Sequence, residues 1–321
     1  MSGQSALPTV SVVVPTFRRG PALAPVLDAV LAQDPHELVV VFDGSQDRAY
    51  HLVVDRARCD SRLVAIYQDN QGEMAARETG ARRATGEVVL FVDDDVLAHP
   101  GLVDGHARLQ RDHVRRVVVG YMPVRLATNR GRSDVATGLY AQEYESHCTL
   151  CERDPDRVLV HLWAGNLSMR RGEALAVGLN SPHYHERYHP DRDLGLRLRR
   201  EGFEAVFSRE LRADHLHSRS LAAFVRDARS QGAGRARLHG LHADQLGPML
   251  EDELITGLPG PARRLAAAAE HPAAHLALSG ALLVLVRILA ILRLTRPQVL
   301  AVRLLRRIEQ VHGAAQARGG T

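Results

Sequence analysis

The sequence predicts an α/β protein whose mostly parallel sheet is flanked by helices. Short β-branched runs alternate with helical segments through the first third of the chain, and polar clusters follow three of these runs directly. Continuous apolar runs are typical of strands that are buried on both faces. Ligands of such sheets bind beyond the carboxyl ends of the strands, so the polar clusters predict one ligand crevice.

The first half of the chain gives strands and helices in strict alternation. The predicted strands cover residues 9–14, 37–42, 62–67 and 87–92. The predicted helices cover about 21–32, 47–58 and 72–84. Pro21 is typical of a first helical turn, and Ser45 or Asp47 is placed to cap the second helix.

The second half has a weaker pattern. The predicted strands cover residues 117–124, 160–169 and 203–207. An arginine-rich helix is predicted at 191–201 and ends at Gly202, a favoured C-cap residue. Because the chain has a helical pattern beyond the last strand, we expect residues 1–215 to form the α/β domain and residues 216–321 a helical C-terminal region.

An apolar stretch in this C-terminal region predicts contact with a membrane. Residues 276–292 are apolar apart from Ser279 and Arg287, close to the length of a spanning helix. Further arginines follow at positions 293, 296, 303, 306 and 307. A basic amphipathic helix on a membrane surface fits this pattern, and we prefer it to a span. A buried core helix and an oligomer interface remain alternatives.

The composition bounds the partners and the compartment. All 41 cationic side chains are arginine, the net charge is +4, and aromatic residues make up 4% of the chain. Arginine suits phosphate and carboxylate groups, but mild charge and few stacking residues predict no nucleic-acid partner. The three cysteines, Cys59, Cys148 and Cys151, favour a reducing compartment. The N-terminus lacks the pattern of a signal peptide, so we expect a cytoplasmic protein.

His147, Cys148 and Cys151 also resemble half of a zinc site, which His161 would help to complete. Since there is no second cysteine pair, two ordinary thiols are the preferred interpretation.

Asp93, Asp94 and Asp95 are the strongest chemical signal. Three adjacent carboxylates are costly unless cations neutralise them, and Mg2+ and Mn2+ prefer such oxygen ligands. Residues i and i+2 of an extended segment point the same way, so Asp93 and Asp95 can share one ligand while Asp94 faces elsewhere. The alternative is an acidic loop that caps the following helix. The apolar strand that leads into the run favours the metal.

Other polar residues at the predicted strand and helix ends have two interpretations each. Asp43 follows the second strand and can bind a ribose or a base edge, or form a turn. Arg77 lies on the helix after the 70–72 turn, where it can either contact the ligand or lie on a solvent-exposed face of the helix. Asp191 and Asp193 open a helix, where a carboxylate can cap the helix or act as a general base.

The order of these segments resembles the family 2 inverting glycosyltransferases of the GT-A fold. The segments that carry the resemblance are a strand followed by PTF, a strand followed by DGS, NxGxxxAR, TGEVVLFVDDD, GNLSMRR and DRDLGLRLRREG. It covers about residues 9–210. Each piece alone is weakly specific, whereas the ordered set is strong.

The resemblance implies a donor site and a metal site. Pro15, Thr16 and Asp43 would line the nucleotide pocket, and Arg77 would approach the base or the diphosphate. Asp93 and Asp95 match the DxD motif, with Asp95 the preferred direct ligand of Mn2+ or Mg2+ and Asp93 also contacting the donor. After the last strand, His215 or His217 would reach the metal or the diphosphate, with Arg219 nearby.

The resemblance also implies an acceptor site and a base. The segment 164–166, with Asn166, would border the acceptor. Asp191 would be the base, with Asp193 a further substrate contact and the alternative base. Pro190 stands where the family often has Glu, which leaves the choice between the two aspartates open.

The implied reaction moves a sugar from a nucleotide-diphosphate sugar, preferably a UDP-sugar, to an acceptor hydroxyl of a glycan, glycolipid or polysaccharide precursor. The implied location is the cytoplasm, at the inner face of the cell membrane. A catalytically silent nucleotide-sugar-binding or membrane-tethered scaffold on the same fold is the alternative. A nucleotidyltransferase would need a glycine-rich phosphate loop after the first strand, where this chain has only Gly20.

Overall fold

The computed structural model describes residues 6–125, 135–216, 218, 220–249 and 254–319. The chain divides into two compact units. The first comprises Met1–Arg125, Tyr144–Pro182 and Leu194–His217, and the second comprises Leu126–Glu143, His183–Asp193 and Ser218–Thr321. The predicted domain boundary between residues 215 and 216 stays a proposal.

The first unit is built on a mixed sheet. Its strands within the described residues are β1 (Val10–Thr16), β2 (Glu37–Asp43), β3 (Leu63–Gln68), β4 (Val88–Val92), β5 (Val96–Ala98), β6 (Arg116–Tyr121), β7 (Asn166–Arg170) and β8 (Glu204–His215). Their order across the sheet is β3-β2-β1-β4-β7-β6-β8-β5. The β3-β2-β1-β4 half is parallel, β7 runs antiparallel to both neighbours, and β5 runs antiparallel to β8.

Helices flank the sheet and build the second unit. The helices are α1 (Ala24–Leu31), α2 (Arg48–Ala57), α3 (Glu73–Arg83), α4 (Leu102–Gln110), α5 (Val135–Arg153), α6 (Arg157–Val160), α7 (Arg171–Val177), α8 (Pro190–Arg200), α9 (Leu221–Leu241), α10 (Ala243–Leu246), α11 (Gly260–Ala268), α12 (Pro272–Ile291) and α13 (Thr295–Gly319). A 3-10 turn, Gly20–Leu23, precedes α1. Helices α5 and α8 contribute residues to both units.

The central strands form the core of the first unit, and their burial explains the apolar runs. Every residue of β1, β2 and β4 is buried. Val12 and Val14 pack into the cluster on one face, and Val13 packs into the cluster on the other. Pro15 fits within β1 because the pairing of β1 with β4 runs only from Val10 to Val13, so its missing N–H breaks no bond to β4.

The predicted fold class is correct, but several predicted elements are not. The segment predicted as a strand at 160–169 begins with the end of α6, and its strand starts only at Asn166. The strand predicted at 203–207 continues to His215, which brings that histidine into the sheet. Three further helices, α4, α5 and α7, lie where none was predicted.

The second unit has its own core around α13. Helix α13 packs against α9 and α12, and apolar side chains such as Ile308, Val311 and Ala314 form its centre. Gly232 of α9 lies against the backbone of Gln310, and Gly313 of α13 lies against the backbone of Arg229. These glycines allow the close approach of the two helices, since a Cβ at either position would overlap the partner backbone.

Gly80 sets the distance between α3 and the sheet in the first unit. A Cβ at this position would overlap the side chain of Val13, and the close-packed core leaves no space for Val13 to move. We expect Gly80→Ala to lower the free energy of unfolding by about 1–3 kcal/mol, measured by denaturant titration. Gly172→Ala, in open space on α7 of the same unit, is the matched control and should leave stability unchanged or raise it slightly. Equal effects of the two substitutions would contradict this account.

Candidate active site

The aspartate run leaves the sheet at the end of β4. The backbone N–H of Asp93 donates to the carbonyl oxygen of Gly165 at 3.1 Å, so the loop before β7 holds the start of the run. All three carboxylates are partly buried, with exposed side-chain fractions between 16% and 28%. Because each carboxylate has lost part of its hydration, each needs a polar partner within the protein.

Arg77 is the partner of Asp93. Its Nη2 lies 2.5 Å from Asp93 Oδ1, and the same nitrogen contacts the carboxylate of Glu73 one helical turn earlier. The Arg77 side chain is 1% exposed, which excludes the solvated-face interpretation. A buried guanidinium is tolerated because two carboxylates flank it. The structure therefore places Arg77 beside the aspartate run, and its predicted contact with the base or the diphosphate stays a prediction.

Asp94 is held by Thr16 and shares Arg19 with Asp95. The hydroxyl of Thr16, at the end of β1, donates to Asp94 Oδ2 at 2.7 Å, and Arg19 Nε lies 3.7 Å from the other oxygen. Burial raises the pKa of the Asp94 carboxyl to about 6, although the Thr16 hydrogen bond and the Arg19 charge oppose this rise. The shared Arg19 contact sets Asp93, and not Asp94, apart from the other two aspartates, so the predicted sharing of one ligand by Asp93 and Asp95 stays a prediction.

Asp95 is paired with Arg19 and His215. Arg19 Nη2 lies 3.4 Å from Asp95 Oδ2, and His215 Nε2 lies 3.3 Å from Asp95 Oδ1. His215 is the last residue of β8, and the pairing of β8 with Val96 of β5 brings it to the aspartates. The structure thus brings His215 to the predicted metal ligand, whereas His217 and Arg219 lie outside the described residues.

The side chains predicted to bind a metal carry oxygen and nitrogen atoms. Asp93 and Asp95 supply oxygens and His215 an imidazole nitrogen, the ligand types that Mn2+ accepts. Across the described part of the chain, no group of three or more His, Cys, Asp or Glu side chains forms a ready-made metal site. The cationic groups of Arg19 and Arg77 instead balance the carboxylates.

Asp43 organises the loop that leads into α3. Its side chain is 4% exposed, and it accepts hydrogen bonds from the backbone N–H of Gln71 at 2.8 Å and of Gly72 at 2.9 Å. The amide of Gln68 donates to the same carboxylate at 2.8 Å. The turn-forming role of Asp43 is therefore present, and its contact with a nucleotide stays a prediction.

Asn166 belongs to a buried polar network. Its amide donates to the carbonyl oxygen of Leu211 at 2.9 Å, and its Oδ1 lies 2.9 Å from His106 Nε2. The other ring nitrogen of His106 lies 2.8 Å from the Ser168 hydroxyl. Burial lowers the pKa of His106 to about 4, so the ring stays neutral near pH 7. These contacts give Asn166 a structural role, and its contact with an acceptor stays a prediction.

Asp191 and Asp193 begin α8, in the second unit, and their environments differ. Asp193 is 2% exposed, and its Oδ1 lies 2.8 Å from Nε2 of the buried His242. Asp191 is partly exposed. Asp193 could contact a substrate only if its hydrogen bond to His242 broke and its side chain became exposed. The side chain of Asp191 is already partly exposed. The two aspartates therefore differ in accessibility, which the sequence did not reveal.

The two cysteines of α5 are ordinary buried thiols. Burial raises the pKa of Cys148 to about 12 and that of Cys151 to about 11. Within the described ranges, no group of three or more His, Cys, Asp or Glu side chains is placed to hold a metal ion. The interpretation as ordinary thiols therefore fits the structure better than half of a zinc site.

Sequence reasoning missed two features near the run. Arg19 contacts two of the aspartates, and its signal was the basic pair that directly follows the first strand. The second feature is an aromatic group around Trp163, whose ring meets those of Tyr144 and Phe207 edge to face at 5.6 and 5.5 Å. Its members lie far apart in the sequence, so no local pattern reveals it.

Residues 11–172 of the chain match the family described as Glycosyl transferase family 2. The chain is 36% identical over 91 residues to the uncharacterized glycosyltransferase EpsJ of Bacillus subtilis, covering 28% of this chain and 26% of EpsJ. It is 35% identical over 147 residues to an N-acetylglucosaminyltransferase of Azorhizobium caulinodans, covering 44% of this chain and 36% of that protein. The matched stretches therefore span about a quarter to a third of these relatives.

The fold is similar to that of a solved mannosyltransferase structure. The mannosyltransferase PcManGT from Pyrobaculum calidifontis, in complex with GDP-Man and Mn2+, aligns with 99% of this chain and 89% of its own. The TM-score is 0.59 and the sequence identity 18%, so the likeness concerns the fold. It confirms the predicted fold class.

The raised pKa of Asp94 gives a prediction for stability. Because the folded-state value of about 6 exceeds the ordinary 3.8, ionisation of Asp94 costs folding free energy, fully above pH 6 and not at all well below pH 4. We expect Asp94→Asn to raise the free energy of unfolding of the metal-free protein by about 1–3 kcal/mol at pH 8, and the gain to shrink towards pH 4.

Denaturant titrations at both pH values measure this gain. Asp55→Asn, at an exposed surface ion pair, is the control and should change stability by less than about 0.5 kcal/mol at either pH. A loss of stability in Asp94→Asn at pH 8 would show that the charged form is favoured in the fold.

Proposed function

The chain belongs to glycosyl transferase family 2, and we propose that it is an inverting glycosyltransferase that moves a sugar from a nucleotide-diphosphate sugar to an acceptor hydroxyl. The observation that carries the proposal is the cluster of Asp93, Asp95, Arg77 and His215 at the end of β4. Carboxylates, guanidinium groups and an imidazole at one strand end suit a diphosphate with its cation.

We propose that Asp93, Asp95 and His215 hold Mn2+ or Mg2+. When bound, the cation would supply charge stabilisation for the departing diphosphate. Asp95 is the preferred direct ligand in the DxD match, and Arg77 engages Asp93 at 2.5 Å, whereas Arg19 and His215 lie 3.4 and 3.3 Å from Asp95. Arg19 and Arg77 would then be placed to attract diphosphate oxygens, since guanidinium groups bind phosphate in a fork.

Asp191 is the proposed base. Its carboxylate takes the proton of the acceptor hydroxyl while the hydroxyl oxygen attacks the anomeric carbon. The bond from that carbon to the diphosphate breaks, and the electron pair leaves with the nucleoside diphosphate. Attack from the opposite face inverts the anomeric configuration in one step. The burial of Asp193 against His242 supports the choice of Asp191.

The donor pocket is proposed to include Pro15, Thr16 and Asp43. Thr16 already bonds to Asp94, and Asp43 holds the loop before α3, so these residues link the pocket to the aspartate run. A UDP-sugar is the preferred donor, and GDP-sugars belong in the same test because PcManGT was solved with GDP-Man. The acceptor is proposed to be a glycan, glycolipid or polysaccharide precursor, with Asn166 near its site.

The proposed location is the cytoplasm, at the inner face of the cell membrane. Helix α12 is long and apolar enough to cross a membrane by length and composition alone.

The central experiment is a screen of UDP-, GDP- and dTDP-sugars for Mn2+-dependent binding and hydrolysis. We expect one class of donor to bind, and Asp95→Ala to lower its turnover roughly 10²–10³-fold because a charge-stabilising group is lost. Asp55→Ala, at an exposed ion pair, is the matched control. If no nucleotide sugar binds, or if Asp95→Ala turns over as fast as the parent, the proposal fails.

The choice of base is tested with the donor and acceptor that the screen identifies. We expect Asp191→Asn to lower kcat about 10²–10⁴-fold with little change in donor KM, because the charge needed to accept the proton is lost. Asp193→Asn should instead act through stability, lowering the midpoint of thermal unfolding. Donor binding without transfer in the parent protein would favour the silent scaffold, and proton NMR of the product tests inversion.

A further inference from the structure

Helix α12 has two faces of opposite character. Its buried face includes His275, Ser279 and Val286, which face the interior of the second unit. Its other face leaves large apolar side chains in contact with water. The most exposed are Leu276 at 76%, Val284 at 54%, Ile288 at 46% and Ile291 at 67%. Only 17% of the most apolar 18-residue window of this helix is buried. An apolar face of this extent marks an interaction surface.

The apolar surface continues beyond the helix. A cavity of about 540 Å³ is lined by Leu258, Leu285, Leu289, Leu300 and Leu304. Leu285 and Leu300 are both exposed, so this cavity opens within the same face. Its lining is suited to a hydrocarbon chain.

The chain segment that carries this face has charges of one sign. Between Glu270 and Glu309 the sequence contains no acidic residue, and it contains arginines at positions 287, 293, 296, 303, 306 and 307. Arg287, Arg293 and Arg296 are exposed. An apolar face with a cationic rim matches the surface of a bilayer that contains anionic phospholipids, whose headgroups attract arginine.

The buried face of α12 argues against a membrane span. The carboxylate of Glu309, on α13, is 1% exposed. It accepts a hydrogen bond from the Ser279 hydroxyl at 2.7 Å and lies 3.0 Å from His275 Nε2. Arg229 of α9 donates to the same carboxylate at 2.8 Å. A spanning α12 would draw these ionic partners into hydrocarbon or break their bonds, and both are costly.

We propose that the exposed face of α12 docks the protein on an anionic phospholipid bilayer, with the helix lying along the interface and entering one leaflet only. The arginine rim meets the lipid headgroups, and the apolar side chains enter the acyl region. The Glu309 network remains closed within the protein. This attachment does not depend on the proposed sugar transfer.

Vesicle flotation with the purified full chain tests the docking. We expect binding to vesicles of equimolar phosphatidylcholine and phosphatidylglycerol, weaker binding to pure phosphatidylcholine, and release as the salt concentration rises. The double variant Arg293→Gln/Arg296→Gln should bind about 30-fold more weakly, from about 1 kcal/mol for each arginine. Equal binding to both vesicles, or none, would overturn the proposal.

The apolar contribution is tested with Val284→Glu/Ile291→Glu. We expect this variant to lose vesicle binding and to keep the circular dichroism spectrum and unfolding midpoint of the parent. Val114→Glu is the matched control, because Val114 is 62% exposed in the first unit. If the parent instead sediments as a dimer without lipid and binds no vesicles, the face joins two copies and the proposal is wrong.

Chemical labelling distinguishes an α12 that lies on the membrane from one that spans it. The variants Ala273→Cys and Leu294→Cys each introduce one cysteine near an end of α12, in a Cys59→Ser background that removes the exposed thiol. In inverted inner-membrane vesicles from expressing cells, an impermeant maleimide should label both ends from the outside. Labelling of one end only after the vesicles are opened would show a span and overturn the proposal. Neither result depends on donor turnover, so failure of the proposed function is recognised separately.

Discussion

The crowding of three carboxylates at the end of β4 is the constraint on which the first unit depends. Partly dehydrated like charges raise each other's free energy unless cations or donors lie close. The fold supplies these partners from elements that are distant in the sequence: Arg19 after β1, Arg77 on α3 and His215 at the end of β8. The parallel order β2-β1-β4 brings the first two to one edge of the sheet, and the β5–β8 pairing brings the third. The strand order of the sheet thus determines both where these elements lie and which charges surround the aspartates.

The three aspartates differ in the side chains that hold them, although Asp94 and Asp95 share Arg19. Asp93 is fixed by a buried guanidinium, Asp94 by a hydroxyl of the neighbouring strand, and Asp95 by looser contacts with Arg19 and His215. Gly165 contributes to this arrangement because a side chain at that position would overlap the Asp93 carboxylate. The geometry therefore distinguishes three chemically identical residues.

The sequence predicted those parts of the fold that a local pattern determines. The strands β1, β2 and β4 are buried on both faces, so their composition alone identifies them, and Asp93 follows the last of them directly. Contacts between distant segments were beyond such reasoning. His106 and Ser168 are separated by 62 positions, and their bonding makes Asn166 part of a buried network rather than an open loop. The same limit hid the burial of Asp193, because its partner, His242, lies 49 positions away.

The absence of lysine has a consequence for how this site can be controlled. Arginine retains its charge throughout the pH range in which proteins fold, and it is not a substrate for lysine acetylation. The positive side of the aspartate cluster, carried by Arg19 and Arg77, is therefore a constant of the molecule. Enzymes that neutralise lysine charges have no target at this cluster. Variation in its net charge must come from acidic groups such as Asp94 and from the ions that bind there.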